Sequence, residues 1–352
     1  MVAALPDCDG ALVRAGRFRV LAERVLAERP LAPDDAARVL ASDDDELPAL
    51  LWAAFAVRHA HYGRRVRLCV LNNARSGLCP EDCGYCSQSA VATSDIERYR
   101  MKSVDQLVAA ARAAVERGAR RYCMVTSARG PSDRDVGHLA EAARRIRGDF
   151  PSLELCVSLG LMDEPEARTL RTAGIDFVNH NLNTSRRFYP AICSTHTYDD
   201  RVATVQNAKR AGMSACSGVI VGLGETDDDL VDVALALRAL EVDSLPVNFL
   251  HPIDGTPLGD REPPPLGRCL RALALCRLAN PRADVRAAGG RERALGVFQG
   301  LSLYAASSIF VDGYLTTPGQ VPAAARRMID DLGFEIDLEP PAVALRAAGA
   351  PA

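Results

Sequence analysis

The 352 residues, 48% of them apolar, are enough to bury one large core, and a single α/β barrel with additions suits that length. The 42 basic and 45 acidic side chains leave a formal charge of −3, which argues against a nucleic-acid-binding or anionic-membrane surface. Only Lys102 and Lys209 are lysines, so the basic complement is arginine, and beside the abundant alanine this reads as compositional bias rather than a binding patch.

The opening residues Met1-Val2-Ala3-Ala4-Leu5-Pro6-Asp7 carry neither the basic stretch nor the apolar run of a signal peptide, and no apolar run reaches bilayer length. The 11 cysteines are therefore expected in a reducing, cytoplasmic setting, where metal binding or catalysis is a commoner use than a disulfide framework. Residues 1–60 read as a polar-faced N-terminal helical cap, broken at Pro30, Pro33 and Pro48, with no chemistry assigned. His59 and His61, two apart, fall on different faces of a helix and read as surface residues. From residue 65 the pattern changes to short β-rich runs at 65–71, 121–126, 153–159, 175–181, 214–221, 244–250, 284–288 and 307–311. Helical stretches at 104–117, 133–147, 164–173, 199–211, 227–240 and 266–278 separate them. Eight strands alternating with helices predict an α/β fold, a (β/α)8 TIM-type barrel over 61–313, followed by a C-terminal helical extension and a loose Pro/Ala-rich tail within 314–352.

Between the first strand and the first barrel helix stands Cys79-Pro80-Glu81-Asp82-Cys83-Gly84-Tyr85-Cys86, three cysteines on one short loop. Thiolate is the soft ligand that suits iron–sulfur clusters and zinc, and closed sites of either kind take four protein ligands. The fourth is missing locally, the nearest others being Cys69 and Cys123. Either a distant residue closes the site or one metal is left open to a substrate. Three idle surface thiols are the less economical reading, because exposed thiols oxidise.

Successive side chains on a strand point to opposite faces. In the third strand Leu153, Leu155, Val157 and Leu159 form an apolar face toward the helices, which turns Cys156 inward with Glu154 and Ser158. In the fourth, Val178 and Leu182 face outward and Asn179, Asn181 and Asn183 inward. The fifth groups Ser214, Cys216 and Gly218, and the seventh groups Asp284, Arg286 and Ala288. The second groups Cys123 with Arg121 and Val125, and parity alone does not settle which way that face turns. A barrel interior filled with cysteine, arginine and asparagine, in place of the usual Val, Ile and Leu, implies a polar cavity that holds ligands, and converging cysteines imply a second, deeper metal centre.

The run Ser76-Gly77-Leu78-Cys79-Pro80-Glu81-Asp82-Cys83-Gly84-Tyr85-Cys86-Ser87-Gln88 resembles the signature of the radical S-adenosylmethionine (SAM) enzymes and, among them, of the biotin synthase family. Arg121-Tyr122-Cys123-Met124, the segment 155–160 and the segment 215–226 are similar to that family's stretches bearing cluster cysteines, and 285–292 to the stretch bearing an arginine ligand. The likeness runs from about residue 50 to 320. It implies a [4Fe-4S] cluster on Cys79, Cys83 and Cys86 with SAM on the fourth iron, and a [2Fe-2S] cluster on Cys123, Cys156, Cys216 and Arg286. Free arginine is protonated and cannot donate a lone pair, so the ligand role of Arg286 rests on the resemblance alone. By the same likeness Tyr85, Asn181, Asn183 and Arg201 bind SAM, Arg201 through its carboxylate, while Asn179, Asn181 and Asn248 bind substrate, Asn248 at a ureido group. Position 183 is aspartate in some members, and asparagine there keeps hydrogen bonding without the charge. Asn181, Asn248 and Arg286 are the implied catalytic residues. The implied reaction is sulfur insertion into dethiobiotin, giving biotin, by a 5′-deoxyadenosyl radical and sulfide from the inner cluster. The implied partners are a reduced flavodoxin or ferredoxin and a second copy of the chain.

Lipoyl synthases, the nearest rivals, gather their second cluster on a cysteine-rich N-terminal motif, and here only Cys8 and Cys69 precede the loop. Another radical SAM enzyme, or a non-enzymatic metal or electron-transfer protein, remains the alternative, and SAM cleavage separates them. Gly222-Leu223-Gly224-Glu225-Thr226-Asp227 lacks the third glycine of a dinucleotide loop and reads as a turn into a helix capped by Thr226 and Asp229. Cys69 shares a strand face with Arg67 and reads as buried, with a place near the inner cluster as the alternative. Cys8, Cys193, Cys269 and Cys276 receive no role, and His138, His180, His196 and His251 show no metal-ligand spacing.

Overall fold

Parallel strands β1 (Arg65–Arg75), β2 (Arg121–Thr126), β3 (Glu154–Ser158), β4 (Phe177–Asn179), β5 (Ser214–Cys216), β6 (Val219–Val221), β7 (Ser244–Phe249), β8 (Asp284–Ala287) and β9 (Ser308–Val311) form one sheet in the computed structural model, which describes residues 8–317 and 319–338. Because β1 pairs with both β2 and β9, the sheet closes into a barrel, and β5 with β6 fills a single position between β4 and β7, giving the eight strands expected. The opening residues 1–7 and the Pro/Ala-rich tail beyond 338 lie outside the described residues.

The helices between strands are α4 (Val104–Glu116), α5 (Asp133–Asp149), α6 (Glu164–Thr172), α7 (Tyr198–Arg210), α8 (Asp227–Ala239) and α9 (Leu266–Ala279), followed by the short α10 (Arg291–Leu295). Five of them begin with a reciprocal cap: Ser103 with Gln106, Ser132 with Asp135, Asp163 with Glu166, Thr197 with Asp200 and Thr226 with Asp229. Each cap satisfies amide groups that a helix start would otherwise leave orphaned, so every one of these βα loops has a defined end. The core lies between barrel and helices, where Tyr122, Met124, Leu155 and Val157 are fully buried.

Two strand expectations differ from the structure. The run 214–221 breaks at Ser217 and Gly218, because the chain there presses on β7: a Cβ on Gly218 would lie 1.8 Å from the Pro246 carbonyl oxygen. The run 175–181 is paired only over β4, and the chain then turns through Asn183 at φ 69° to bridge Val219.

Ahead of the barrel lie α1 (Cys8–Leu26), α2 (Pro33–Leu40) and α3 (Leu47–Tyr62). The polar-faced cap expected here is corrected by α3, which buries Leu50, Leu51, Phe55 and Val57. It seals the end of the barrel where strands begin. Buried Arg58 donates to the carbonyls of Ala306 (3.1 Å) and Arg65 (2.6 Å), just ahead of β9 and at the first residue of β1. After the barrel, α11 (Pro322–Asp331) leads to β10 (Glu335–Ile336), which returns to pair with the start of β1.

Candidate active site

The cavity is lined by the cysteines of four elements and by inward residues of the barrel. Cys123 on β2, Cys156 on β3, Cys216 on β5 and Arg286 on β8 all line it. Register explains the meeting: Cys123 stands beside Cys156, and Cys216 beside Asn179 on one flank and Ser244 on the other. The orientation that parity left open for β2 is thereby decided, since Arg121, Cys123 and Val125 line the cavity while Tyr122 and Met124 enter the core. Arg286 reaches across with Nη1 3.9 Å from Cys216 Sγ, and is held by Ser308 Oγ at 3.1 Å, Ser244 Oγ at 3.1 Å and Asp284 Oδ2 at 3.1 Å.

This end of the cavity is densely charged. Arg121 pairs with Glu154 at 2.8 Å and with Asp284 at 3.7 Å, and its guanidinium lies 3.6 Å over the Phe177 ring. Burial works to lower the Arg286 pKa, but the charge of Asp284 helps hold it above the ordinary value. Burial raises the Cys216 and Cys69 thiols, Arg286 and Arg121 opposing it, and Cys156 is raised by its hydrogen bond with Cys123 and then by burial. These groups are neutral thiols beside charged guanidinium groups, and taking a metal would release their protons.

At the mouth, the cysteine loop follows β1 through two left-handed residues, Gly77 (φ 70°) and Leu78 (φ 61°). Asp82 anchors it by accepting from the backbone amides of Ser194 (2.9 Å) and Thr195 (3.2 Å). Cys79 and Cys86 line the cavity, and burial pushes the Cys86 thiol up to about 11. Cys83 is not among the lining residues; its Sγ lies 3.7 Å from that of Cys193.

The remaining predicted residues gather between mouth and charged end. Asn183 Nδ2 donates to the Tyr85 hydroxyl at 2.6 Å. Arg201, buried, donates through Nη1 to the Asn181 carbonyl at 2.7 Å and through Nε to the Tyr189 hydroxyl. Asn179 Nδ2 bridges Asn181 Oδ1 (3.1 Å) and Cys216 Sγ (3.2 Å). Asn248 donates to the Val219 carbonyl (3.2 Å) and accepts from the Gly289 amide (3.0 Å), so one hydrogen and one lone pair of its amide remain for a ligand. His180 Nε2 and Thr126 Oγ1 are buried lining atoms with no hydrogen-bond partner among the described residues. Polar atoms left so in a cavity, beside thiols from three strands and two loop thiols, fit a site completed by polar and soft-metal groups.

Sequence reasoning missed several of these residues. Strand parity turns His180 outward, but β4 ends at Asn179 and parity ends with it. Tyr314, Leu315, Thr316 and Thr317 line the mouth although the barrel was expected to end at 313. Cys193 and His196, given no role, join Cys83 in a buried cluster that spacing along the chain does not reveal.

The Radical SAM superfamily model matches residues 75–237, and the model described as Biotin and Thiamin Synthesis associated domain matches residues 246–335. Biotin synthase of Salinibacter ruber is 53% identical over 90% of this chain and 88% of its own. Those of Geobacillus thermodenitrificans (49%, 91% and 96%) and Bacillus subtilis strain 168 (48%, 90% and 94%) are similar over the same span. Among solved structures, methylornithine synthase superposes with a TM-score of 0.78 at 19% identity over 90% of this chain and 97% of that one. The FeFe-hydrogenase maturase HydG of Carboxydothermus hydrogenoformans gives 0.77 at 17% identity over 91% and 79%, a likeness of fold alone. With near half its residues shared over nine tenths of its length, and with thiols from three strands meeting an arginine inside the barrel, the chain belongs to the biotin synthase family of radical SAM enzymes.

Proposed function

We propose how this cavity divides the work of its family's reaction, the radical SAM conversion of dethiobiotin to biotin. When bound, a [4Fe-4S] cluster with SAM supplies a carbon radical that removes hydrogen from an unactivated carbon, and a [2Fe-2S] cluster supplies the sulfur. Cys79, Cys83 and Cys86 hold the first cluster, and Cys123, Cys156, Cys216 and Arg286 the second. Arg201 takes the SAM carboxylate in a charge-assisted pair, its Nε and Nη1 already anchored on Tyr189 and Asn181. Tyr85 and Asn183, joined to each other, and Asn181 complete that pocket. Asn179, Asn181 and Asn248 take the substrate, the amide of Asn248 offering its free hydrogen and lone pair to the ureido group. Arg286 would complete the ligand set of the second cluster, a role that would require the neutral guanidine. The barrel walls keep out water and stray hydrogen donors while the reacting carbon is held between the two cysteine sets.

The observation that carries this reading is the meeting of Cys123, Cys156, Cys216 and Arg286 from four strands in the cavity whose mouth bears Cys79 and Cys86. Residues 1–60 act as a structural cap and 61–313 as the working barrel. A reduced flavodoxin or ferredoxin delivers electrons, and the chain works as a cytoplasmic homodimer. In support, the ten cysteines from Cys69 to Cys276 are free thiols, and no described helix is long and apolar enough to cross a membrane. Anaerobic reconstitution with iron and sulfide, then incubation with dethiobiotin, SAM and a reductant, should yield biotin. Zinc in place of iron, with no SAM cleavage, would retire the reading.

A further inference from the structure

The thiol pair behind the loop is spaced for one ion rather than for a cluster. Cys83 Sγ and Cys193 Sγ are 3.7 Å apart, and Cys193 Sγ is 3.3 Å from His196 Nδ1. Ligand atoms of all three lie within 4.8 Å of one another, and all three residues are buried. Two thiolates on one tetrahedral zinc, each at about 2.3 Å, stand about 3.8 Å apart, and a thiolate and an imidazole nitrogen about 3.5 Å. Thiolates on separate irons of a cluster must stand further apart than that. His196 Nε2 is 2.8 Å from the Tyr189 hydroxyl, the outer hydrogen bond that orients a metal-bound imidazole and leaves Nδ1 toward the sulfurs. Glu81 Oε2 is hydrogen-bonded to His196 Nδ1 at 2.5 Å and accepts from Thr195 Oγ1, so the carboxylate orients the ring, whereas two ligand atoms on one tetrahedral ion would stand about 3.3 Å apart. Glu81 Oε1 is buried with no hydrogen-bond partner among the described residues, Arg129 Nη1 being 3.5 Å away. Asp82 is less available, since its oxygens already accept from the amides of Ser194 and Thr195.

We propose that Cys83, Cys193 and His196 form a mononuclear site for a divalent transition ion, zinc or ferrous iron, in the cluster-free chain, its fourth position open to water or to Glu81 once the hydrogen bond to Nδ1 is released. Two thiolates and an imidazole select such ions over magnesium or calcium. Cys83 belongs both to this set and to the loop set, so the two occupancies exclude each other. Ferrous iron at this site is iron already bound to one of the three loop thiols. Zinc there withdraws Cys83 and blocks cluster assembly. The site requires only the cluster-free chain and stands whether or not the family's reaction is run.

Cobalt is the probe, because thiolate–cobalt charge transfer and tetrahedral ligand-field bands report the donor set directly. Reduced, anaerobic, full-length protein without cluster should bind one cobalt per chain with tetrahedral bands, and zinc should displace it. Cys193→Ser and His196→Asn should each weaken binding at least about tenfold, while Cys79→Ser and Cys86→Ser leave it intact. Zinc-loaded wild-type protein should show two sulfur neighbours by X-ray absorption, a measurement that needs no variant to fold. Prior zinc should also slow the growth of iron–sulfur absorbance on reconstitution, which Cys193→Ser should relieve. Three sulfur neighbours, cobalt bands indifferent to Cys193→Ser and His196→Asn, bands lost instead with Cys79→Ser and Cys86→Ser, or no cobalt binding would each overturn the site and leave a hydrogen-bonded anchor for the loop.

Discussion

Burial works against the charge on Arg286, yet the Asp284 carboxylate beside it keeps the guanidinium protonated. Its three hydrogen-bond partners, Ser244, Ser308 and Asp284, are fixed by register on three strands, so the side chain is positioned before any metal arrives. Truncation leaves the buried Asp284 carboxylate with the Ser307 hydroxyl at 2.8 Å and, as its nearest cation, Arg121 at 3.7 Å. Arg286→Met should therefore cost about 3 kcal/mol in urea unfolding of the cluster-free protein, and Arg286→Lys clearly less. Equal stability of both variants with wild type would mean the pair is not formed. Asn183 makes a different demand on its residue type, being in the left-handed region at φ 69° while its amide reaches Tyr85. Asn183→Ala should lose about 1–2 kcal/mol for backbone strain plus the bond, whereas Asn183→Gly restores the backbone and loses the bond alone. Alanine as stable as glycine in thermal denaturation would refute that division.

At the scale of elements, the start of α8 joins two parts of the mouth. Asp229 closes the cap with Thr226 and also accepts from Ser185 (2.6 Å) and Arg187 (2.7 Å), residues that follow the asparagine-rich turn after β4. Burial works against the charge, but these donors hold its carboxyl well below the ordinary range. The unfolded value is about 3.9, so its stabilisation is complete above about pH 4 and is lost as pH falls through the lower folded value. Asp229→Asn should be less stable by about 2 kcal/mol at neutral pH, with the deficit shrinking below pH 4. A deficit that does not change with pH would show that the charge is not what the cap uses. Between β5 and β6, Gly218 leaves no room for a methyl group against the Pro246 carbonyl. Gly218→Ala must push β5 from β7, and with it Cys216. A drop of at least about 3 kcal/mol is expected, read as a fall in melting temperature of the cluster-free protein.

Across the whole molecule, alternation of side chains within strands was legible and the paths between strands were not. Leu155 and Val157 against Cys156 give the inward face of β3 at once, because burial of one strand face writes itself as a period of two. His180 and the Cys83–Cys193–His196 cluster escape any such period: they lie on loops whose neighbours are set by tertiary packing, more than 100 residues apart in the case of Cys83 and Cys193. Arg286 was legible as an inward residue, and its ligand role came from family resemblance, since an isolated guanidinium predicts only an ion pair. The segment after β9 escaped for a related reason. Asp312 (φ 70°) and Gly313 (φ 104°) reverse the chain, so that Tyr314 packs on Gly289, where a Cβ would meet its ring at 2.8 Å, and on Phe310 with centroids 5.4 Å apart. Thr316 Oγ1 then meets Ser87 Oγ of the cysteine loop at 2.8 Å, and the chain is tied down beyond α11 by Arg67–Asp337 at 3.0 Å. The strap thus runs from β9 to the loop that follows its neighbour β1, placing an aromatic ring at the mouth of the cavity. A radical held near an open mouth is quenched by stray hydrogen donors before it meets its substrate. Tyr314→Ala should leave the fold intact by circular dichroism and raise the number of SAM molecules cleaved per biotin at least about twofold, while Tyr314→Phe, which keeps the ring, should not. A ratio unchanged in Tyr314→Ala, with SAM and dethiobiotin still bound, would mean that the strap contributes contacts and not closure.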